Sequence, residues 1–331
     1  MKQIYQTLIF LIIAGFISNN TNAQQKHFIR IDENNDFLNI SGHGTDKAYS
    51  NGTRIDYFYT RKNNNRSNLL LRLLPRAGSG SEQLYSIGLM QVMVTPNNIS
   101  STSFQNGDYA YAGGLFAIYS QRSFNRKKQI TLQTDLMLGM RGPASFAAET
   151  QKAIHKLINY QVPMGWDMQL KEKVLANIEF TAEKGVLKAG NWLQLNIAGR
   201  LSAGTMIDMA SLSPTIRIGR LPASDLPLVA DRNSTGKQKI FYYLQVTGRQ
   251  NLQLYNALLE GEPSILSSRA KENNTVSYQT PQLNHALSEL ILGAGIGNSK
   301  LSLHYFQTYS TPYSKGLYNH SVGNLVLYFS L

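Results

Sequence analysis

Ser50-Asn51-Gly52-Thr53-Arg54-Ile55-Asp56-Tyr57-Phe58-Tyr59-Thr60 is the stretch on which the fold turns. Thr53, Ile55, Tyr57 and Tyr59 recur at every second position, which places them on one face of an extended strand. β-Branched and aromatic residues of this kind suit a pleated surface. The length of the run is the second signal. At about 11 residues it can cross a hydrocarbon layer when tilted. The strands of a soluble sandwich are shorter, about 5 to 6 residues.

The same pattern extends in both directions. Phe28–Leu38 precedes it. Gln83–Thr95, Ala110–Arg122 and Gln129–Met140 follow, then Asp167–Glu183, Asn191–Gly204, Met206–Arg220, Lys239–Arg249, His285–Gly297, Lys300–Tyr309 and Ser321–Leu331. That makes about 12 strands, the even number that a single-chain bacterial barrel needs. Asn251–Leu259 reads as the end of the ninth strand and its loop, because an odd total would leave the termini on opposite sides. One segment breaks the pattern. Ala147–Ile158 carries helix formers, with Gly142 and Pro143 ending the strand before it. The expected fold is all-β: an antiparallel transmembrane β-barrel with a short helix in an extracellular loop. The closing Leu325–Leu331 run has the aromatic-bearing character of a terminal barrel strand.

Composition agrees. Of 331 residues, 18 are Tyr, 13 Phe and 26 Gly, and only 16% are charged, where soluble domains carry about 25%. Lys2, the apolar run Thr7–Ile17 and Thr21-Asn22-Ala23 read as a signal peptide over 1–23, leaving a barrel domain over 24–331. The apolar run is about 11 residues, short of the roughly 20 that a membrane helix requires. No cysteine is present, which excludes disulfides, thiolate metal sites and a lipoprotein anchor. The formal charge is +12. Without Lys2, 31 basic residues stand against 20 acidic ones, leaving +11. An exported basic protein suits an anionic lipid partner such as lipopolysaccharide phosphates; nucleic acid is not expected in that compartment.

With both termini periplasmic, the connections after strands one, three and five face outward. Counting therefore brings Asn35 and Asp36, Ser50, Asp108, Gln151 and His155 to one rim. The same count makes Arg61–Glu82 and Leu221–Gln238 long periplasmic turns, where short ones are the rule. Gln151 and His155, four apart, share a helix face. Imidazole titrates near working pH, so His155 is the acid–base candidate; a plain surface histidine is the alternative. Asn35 and Asp36 offer oxygens of the kind calcium takes, or cap a turn at a strand end. Ser50 is a hydroxyl without a nucleophile elbow around it.

In order along the chain, these pieces resemble the lipid A 3′-O-deacylases of the LpxR type. The carrying segments are Asn35-Asp36, Asp46-Lys47-Ala48-Tyr49-Ser50-Asn51-Gly52, Asp108-Tyr109-Ala110-Tyr111-Ala112-Gly113, and Gly139-Met140-Arg141-Gly142-Pro143 with Gln151 and His155. Gly165-Trp166, Tyr255–Gly261 and His320 with Gly323 follow. The resemblance implies a calcium-dependent outer-membrane esterase that removes the 3′-linked acyloxyacyl group of lipid A. It implies His155 as general base, Gln151 orienting it, Asp36 holding calcium, and Asn35 and Ser50 completing the site. Lipopolysaccharide in the outer leaflet would be the partner, the chain acting as a monomer. A phospholipase, or a silent lipid-binding barrel, are the alternatives. Two positions depart from the family pattern. Ser50 stands where many members have Thr, and Tyr109-Ala110 where Arg-Pro is usual; Arg122, Arg141 and Lys156 are the cations that could stand in.

Overall fold

The computed structural model describes residues 27–40, 46–61, 74–222, 240–261 and 281–331. The signal peptide expected at 1–23 lies outside the described residues, as does most of the two long connections, at 62–73 and 223–239. Twelve strands are described: β1 (His27–Asn35), β2 (Ala48–Tyr59), β3 (Glu82–Thr95), β4 (Ala112–Asn125), β5 (Ile130–Arg141), β6 (Lys173–Ala189), β7 (Leu193–Gly204), β8 (Ile207–Arg220), β9 (Phe241–Asn256), β10 (Ala286–Gly297), β11 (Leu301–Ser310) and β12 (His320–Ser330). Each pairs antiparallel with its neighbour in sequence. β1 closes the ring on β12, from Phe28 opposite Ser330 to Asn35 opposite Gly323. Closure removes every sheet edge, which is what lets strands stand in a membrane. The strand count does not slip at the long connections, since β2 pairs directly with β3, and β8 with β9.

The differences from the sequence reading are at element ends. The first strand stops at Asn35, not Leu38. The Asn35 side chain accepts a hydrogen bond from the Phe37 N–H, and Asp36–Leu38 turns as a short 3-10 helix. The sixth strand begins at Lys173; Trp166–Met168 is another 3-10 turn. The ninth runs on to Asn256, so Asn251–Leu259 is indeed its end and loop.

β9 shows how the wall is built. Tyr242, Leu244, Val246, Leu252 and Leu254 are exposed, while Phe241, Tyr243, Thr247, Asn251 and Gln253 between them are buried. The outer face is thus apolar and the inner face mixed, the alternation of a lipid-spanning wall. Inside, Asp56 is fully buried between Arg30, at 2.6 Å, and Arg54, at 2.9 Å. Arg200 faces Glu179, and Arg249 faces Glu289. At one end Tyr109, Ala110, Leu170, Ala257, Leu258, Leu259 and Leu283 form an apolar cap with lumen-facing Val92, Val94 and Phe116. Arg141 ties that cap down by donating to the carbonyls of Ala257 and Glu260.

The single α-helix among the described residues, α1 (Ala147–Leu157), lies in the connection between β5 and β6. It packs on the outside of the wall. On β3, Met93 has the parity of the exposed Ile87 and Leu89, and Met93 packs with Ala147, Tyr111 and Trp166.

Candidate functional site between α1 and the barrel wall

Two glycines bring α1 against the wall. Gly142 has φ +106°, and a Cβ there would meet the Glu172 backbone at 2.8 Å; only glycine turns the chain at this point. A Cβ on Gly113 of β4 would lie 2.3 Å from the Ala147 Cβ, so the helix sits directly on the strand. The turn between them is held by Ser145 Oγ donating to the Gly142 carbonyl (2.6 Å) and by Gln91 Nε2 donating to the Ser145 carbonyl (2.7 Å). Ala147, Gln151 and His155, spaced four apart, form the buried edge of α1.

His155 is thereby oriented from both ring nitrogens. Nδ1 lies 2.5 Å from the Gln161 carbonyl, which can only accept, so this nitrogen carries the hydrogen. Nε2 faces Asp46 Oδ1 at 3.5 Å. The Tyr160 ring packs edge-on against the imidazole. Burial by itself lowers the pKa of His155. The hydrogen bonds to Asp46 and the Gln161 carbonyl, with the charges of Asp46 and Asp36, outweigh it, and the net shift is upward from 6.5.

Asp46 is the residue that sequence reasoning passed over. It was legible only as one letter of a motif. In the structure its Oδ1 also receives Gln151 Nε2 at 3.5 Å. Its backbone is left-handed, with φ +44°, a conformation that Asp tolerates better than most residues. Thr95 Oγ1 holds that turn through the Asp46 carbonyl at 2.5 Å. Trp166 is the second such residue, legible only as part of the Gly165-Trp166 segment. Its buried indole N–H donates to Gln151 Oε1 at 2.8 Å, which sets the amide so that its NH2 points to Asp46. Trp166, Gln151, Asp46 and His155 therefore form one connected chain.

The other expected residues are near but differently engaged. Asp36 is buried, accepts from the Lys47 N–H at 3.3 Å, and lies close enough for its charge to act on both His155 and Tyr160. Asn35 caps the turn that carries Asp36. Ser50 is the extra residue of a bulge, where the register shifts between Tyr49 and Asn51, and its hydroxyl donates to the Met93 carbonyl at 3.4 Å. Beside them, Glu33 gathers Asn51 Nδ2 (2.5 Å) and Thr53 Oγ1 (2.6 Å). Thr53 and Asn51 share the parity of exposed Ile55, so this polar group also stands on the outer wall. The hydrogen bonds of Ser50 and Asn35 run to the wall and the turn, not to His155.

Tyr109 sits elsewhere. It is buried in the cap over the lumen, edge-on to Tyr318, and burial raises its phenol to about 12. The departure from Arg-Pro is therefore on the other side of the wall from His155. Of the three cations that could stand in, Arg141 is committed to the cap and Arg122 lines the lumen; Lys156 alone is on α1. As for calcium, the Asp36 carboxylate is a donor of the right hardness. The Asn35 amide oxygen is already used by the cap. Among the described residues no group of three or more His, Cys, Asp or Glu side chains is assembled for a metal, so backbone or substrate oxygens would have to complete the shell.

The model of the family "Outer membrane protein LpxR" matches residues 7–331. Among solved structures, LpxR from Salmonella typhimurium superposes with a TM-score of 0.70 at 15% identity, covering 91% of this chain and 99% of that one. The β domain of the Bordetella autotransporter BrkA gives a TM-score of 0.43 at 10% identity, covering 93% and 99%. No curated protein sequence matches. A twelve-stranded closed barrel and a family match over nearly the whole length agree: this chain belongs to the LpxR family of outer-membrane proteins, a membership that implies lipid A remodelling by deacylation.

Proposed function

We propose that the cleft between α1 and the outer wall is an ester-cleaving site, at which this protein removes the 3′-linked acyloxyacyl group of lipid A in the outer leaflet. The observation that carries the reading is the setting of His155. Its Nδ1–H is spent on the Gln161 carbonyl, so in the neutral ring the lone pair is on Nε2, the nitrogen turned to Asp46. Nε2 takes a proton from water, and the hydroxide formed attacks the ester carbonyl. When the tetrahedral intermediate collapses, the imidazolium returns the proton to the leaving sugar oxygen. Ester and water become fatty acid and alcohol, and His155 ends as it began. Asp46 stabilises the imidazolium between these steps. Gln151, fixed by Trp166, holds Asp46 on that side of the ring. At 3.5 Å the Nε2 contact is loose, as catalytic contacts are without substrate, and a small shift admits a water. Calcium, if bound at Asp36, would supply positive charge to the oxyanion.

The membrane position supports the substrate. A site on the outer wall, at the end opposite the termini, meets lipid of the outer leaflet rather than the lumen. The test is the mass spectrum of lipid A from cells making the wild type or His155→Ala, with and without calcium. Loss of the 3′ acyloxyacyl mass that needs both His155 and calcium supports the reading. Unchanged lipid A alongside altered phospholipid would replace it with a phospholipase.

A further inference from the structure

The side of α1 turned away from the wall has a pattern of its own. At about 100° per residue, the buried Ala147, Gln151 and His155 span an arc of about 80°. Glu149, Lys152 and Lys156 fall together within about 60° on one side of that edge. Ile154 and Leu157 fall together on the other side, again within about 60°. Leu157 is 78% exposed, and Ile154, with Phe146 and Ile158 at the two helix ends, is also exposed. So the helix has three sectors: one on the barrel, one charged and one apolar and uncovered. Phe37 and Ile40, in the turn that carries Asp36, are likewise apolar and 66% and 75% exposed.

What covers that sector follows from where the helix is. It lies on the outside of the wall, not over the lumen. The strand beneath it, β3, continues from Met93 into Leu89 and Ile87, exposed members of the apolar band that faces lipid. An apolar flank continuous with a lipid-facing surface, and a lysine-bearing flank opposite, are the two halves of a helix lying in a membrane interface. We infer that α1 is an interfacial helix: its Ile154–Leu157 flank, with Phe146, Phe37 and Ile40, inserts among the acyl chains of the leaflet, while Lys152 and Lys156 stay at the anionic headgroups. The base of the cleft is thus carried on an element that the lipid surface itself holds in place. This inference concerns lipid contact, and it stands or falls independently of which ester is cut.

The chain has no cysteine, so single labels report cleanly. Leu157→Cys, Ile154→Cys and Lys156→Cys would each carry a nitroxide in vesicles of phosphatidylethanolamine and phosphatidylglycerol. Leu138→Cys, on the exposed outer face of β5, gives the hydrocarbon reference, and Lys127→Cys, in the β4–β5 turn, the aqueous one. Heat-modifiable gel migration confirms folded barrel for each variant. The expected result is a ratio of oxygen to nickel-chelate collisions at 154 and 157 that matches Leu138→Cys, and a ratio at 156 that matches Lys127→Cys. Nickel access at 157 equal to that at 127 would place the flank in water and overturn the proposal. So would shielding from both reagents with spin–spin broadening, the signature of a second copy covering the face.

Discussion

Deprotonation of His155 is the step on which the proposed chemistry turns, and its pH dependence can be stated with a sign. A general base works in the neutral form. The folded pKa is raised above 6.5, burial opposing and the Asp46 and Gln161 hydrogen bonds with the Asp46 and Asp36 charges prevailing. Activity should therefore fall on the acid side with its midpoint above 6.5. Asp46→Asn removes a raising influence, so the acid limb should move to lower pH while the rate drops. A pH–rate series on both proteins checks this; an unmoved limb would mean that Asp46 does not act on the base. His155→Ala should cost about 10²- to 10⁴-fold in kcat with the barrel intact. Trp166→Phe leaves Gln151 Oε1 unsatisfied, a penalty of about 1–3 kcal/mol. Felt by the site and not by the wall, it should lower activity without altering heat-modifiable migration.

At the level of elements, the critical contact is the seat of α1 on β4. Gly113 leaves no room for a side chain beneath Ala147. Gly113→Val must push the helix outward, and with it Gln151 and His155 but not Asp46. Activity should be lost while the far-ultraviolet β signature stays unchanged. If instead activity survives, the helix is not placed by this contact. The β2 bulge is a second such device. By adding one residue at Ser50 it lets Tyr49 face the lumen cavity while Asn51 stands on the outer wall, so two residues that regular alternation would put on one face serve opposite sides of the strand.

On the scale of the whole molecule, the lumen is held by ion pairs and the outside by lipid. Asp56 lies between two arginines with no exposure. Asp56→Ala would leave Arg30 with Asp32 at 4.0 Å and Arg54 with Asp135 at 3.5 Å, and losing one partner of a buried ion pair costs up to about 3–5 kcal/mol. The urea midpoint in vesicles should fall accordingly, with the site chemistry little changed below it, because Asp56 faces the lumen and α1 the outer wall. A midpoint equal to wild type would show that Asp32 and Asp135, or water, take over these arginines.

Strand order, number and helix placement were readable from the chain, because period and length are local properties. Alternation in Thr53, Ile55, Tyr57 and Tyr59 marks a wall residue by residue, and antiparallel closure of an even count leaves one topology. Element ends were less legible: Asp36–Leu38 reads as strand until the Asn35 side chain is seen to cap the turn there. Gln151 and His155 could be paired from their spacing alone. Their partners could not, since Asp46 lies 105 residues from Gln151 and meets it only because β2 and the β5–β6 connection share one rim. Asp108 reads as part of the same rim, and Tyr109 follows it as a departure from the family pattern; which side of the wall Tyr109 takes depends on the cap it packs into, and no local pattern records that. Sequence by itself determined a barrel and a helix bearing a histidine. The tertiary structure decided that the helix lies outside the barrel, that Asp46 and Trp166 complete its buried edge, and that Tyr109 does not, because contacts across a closed sheet are set by register and packing between segments far apart in the chain.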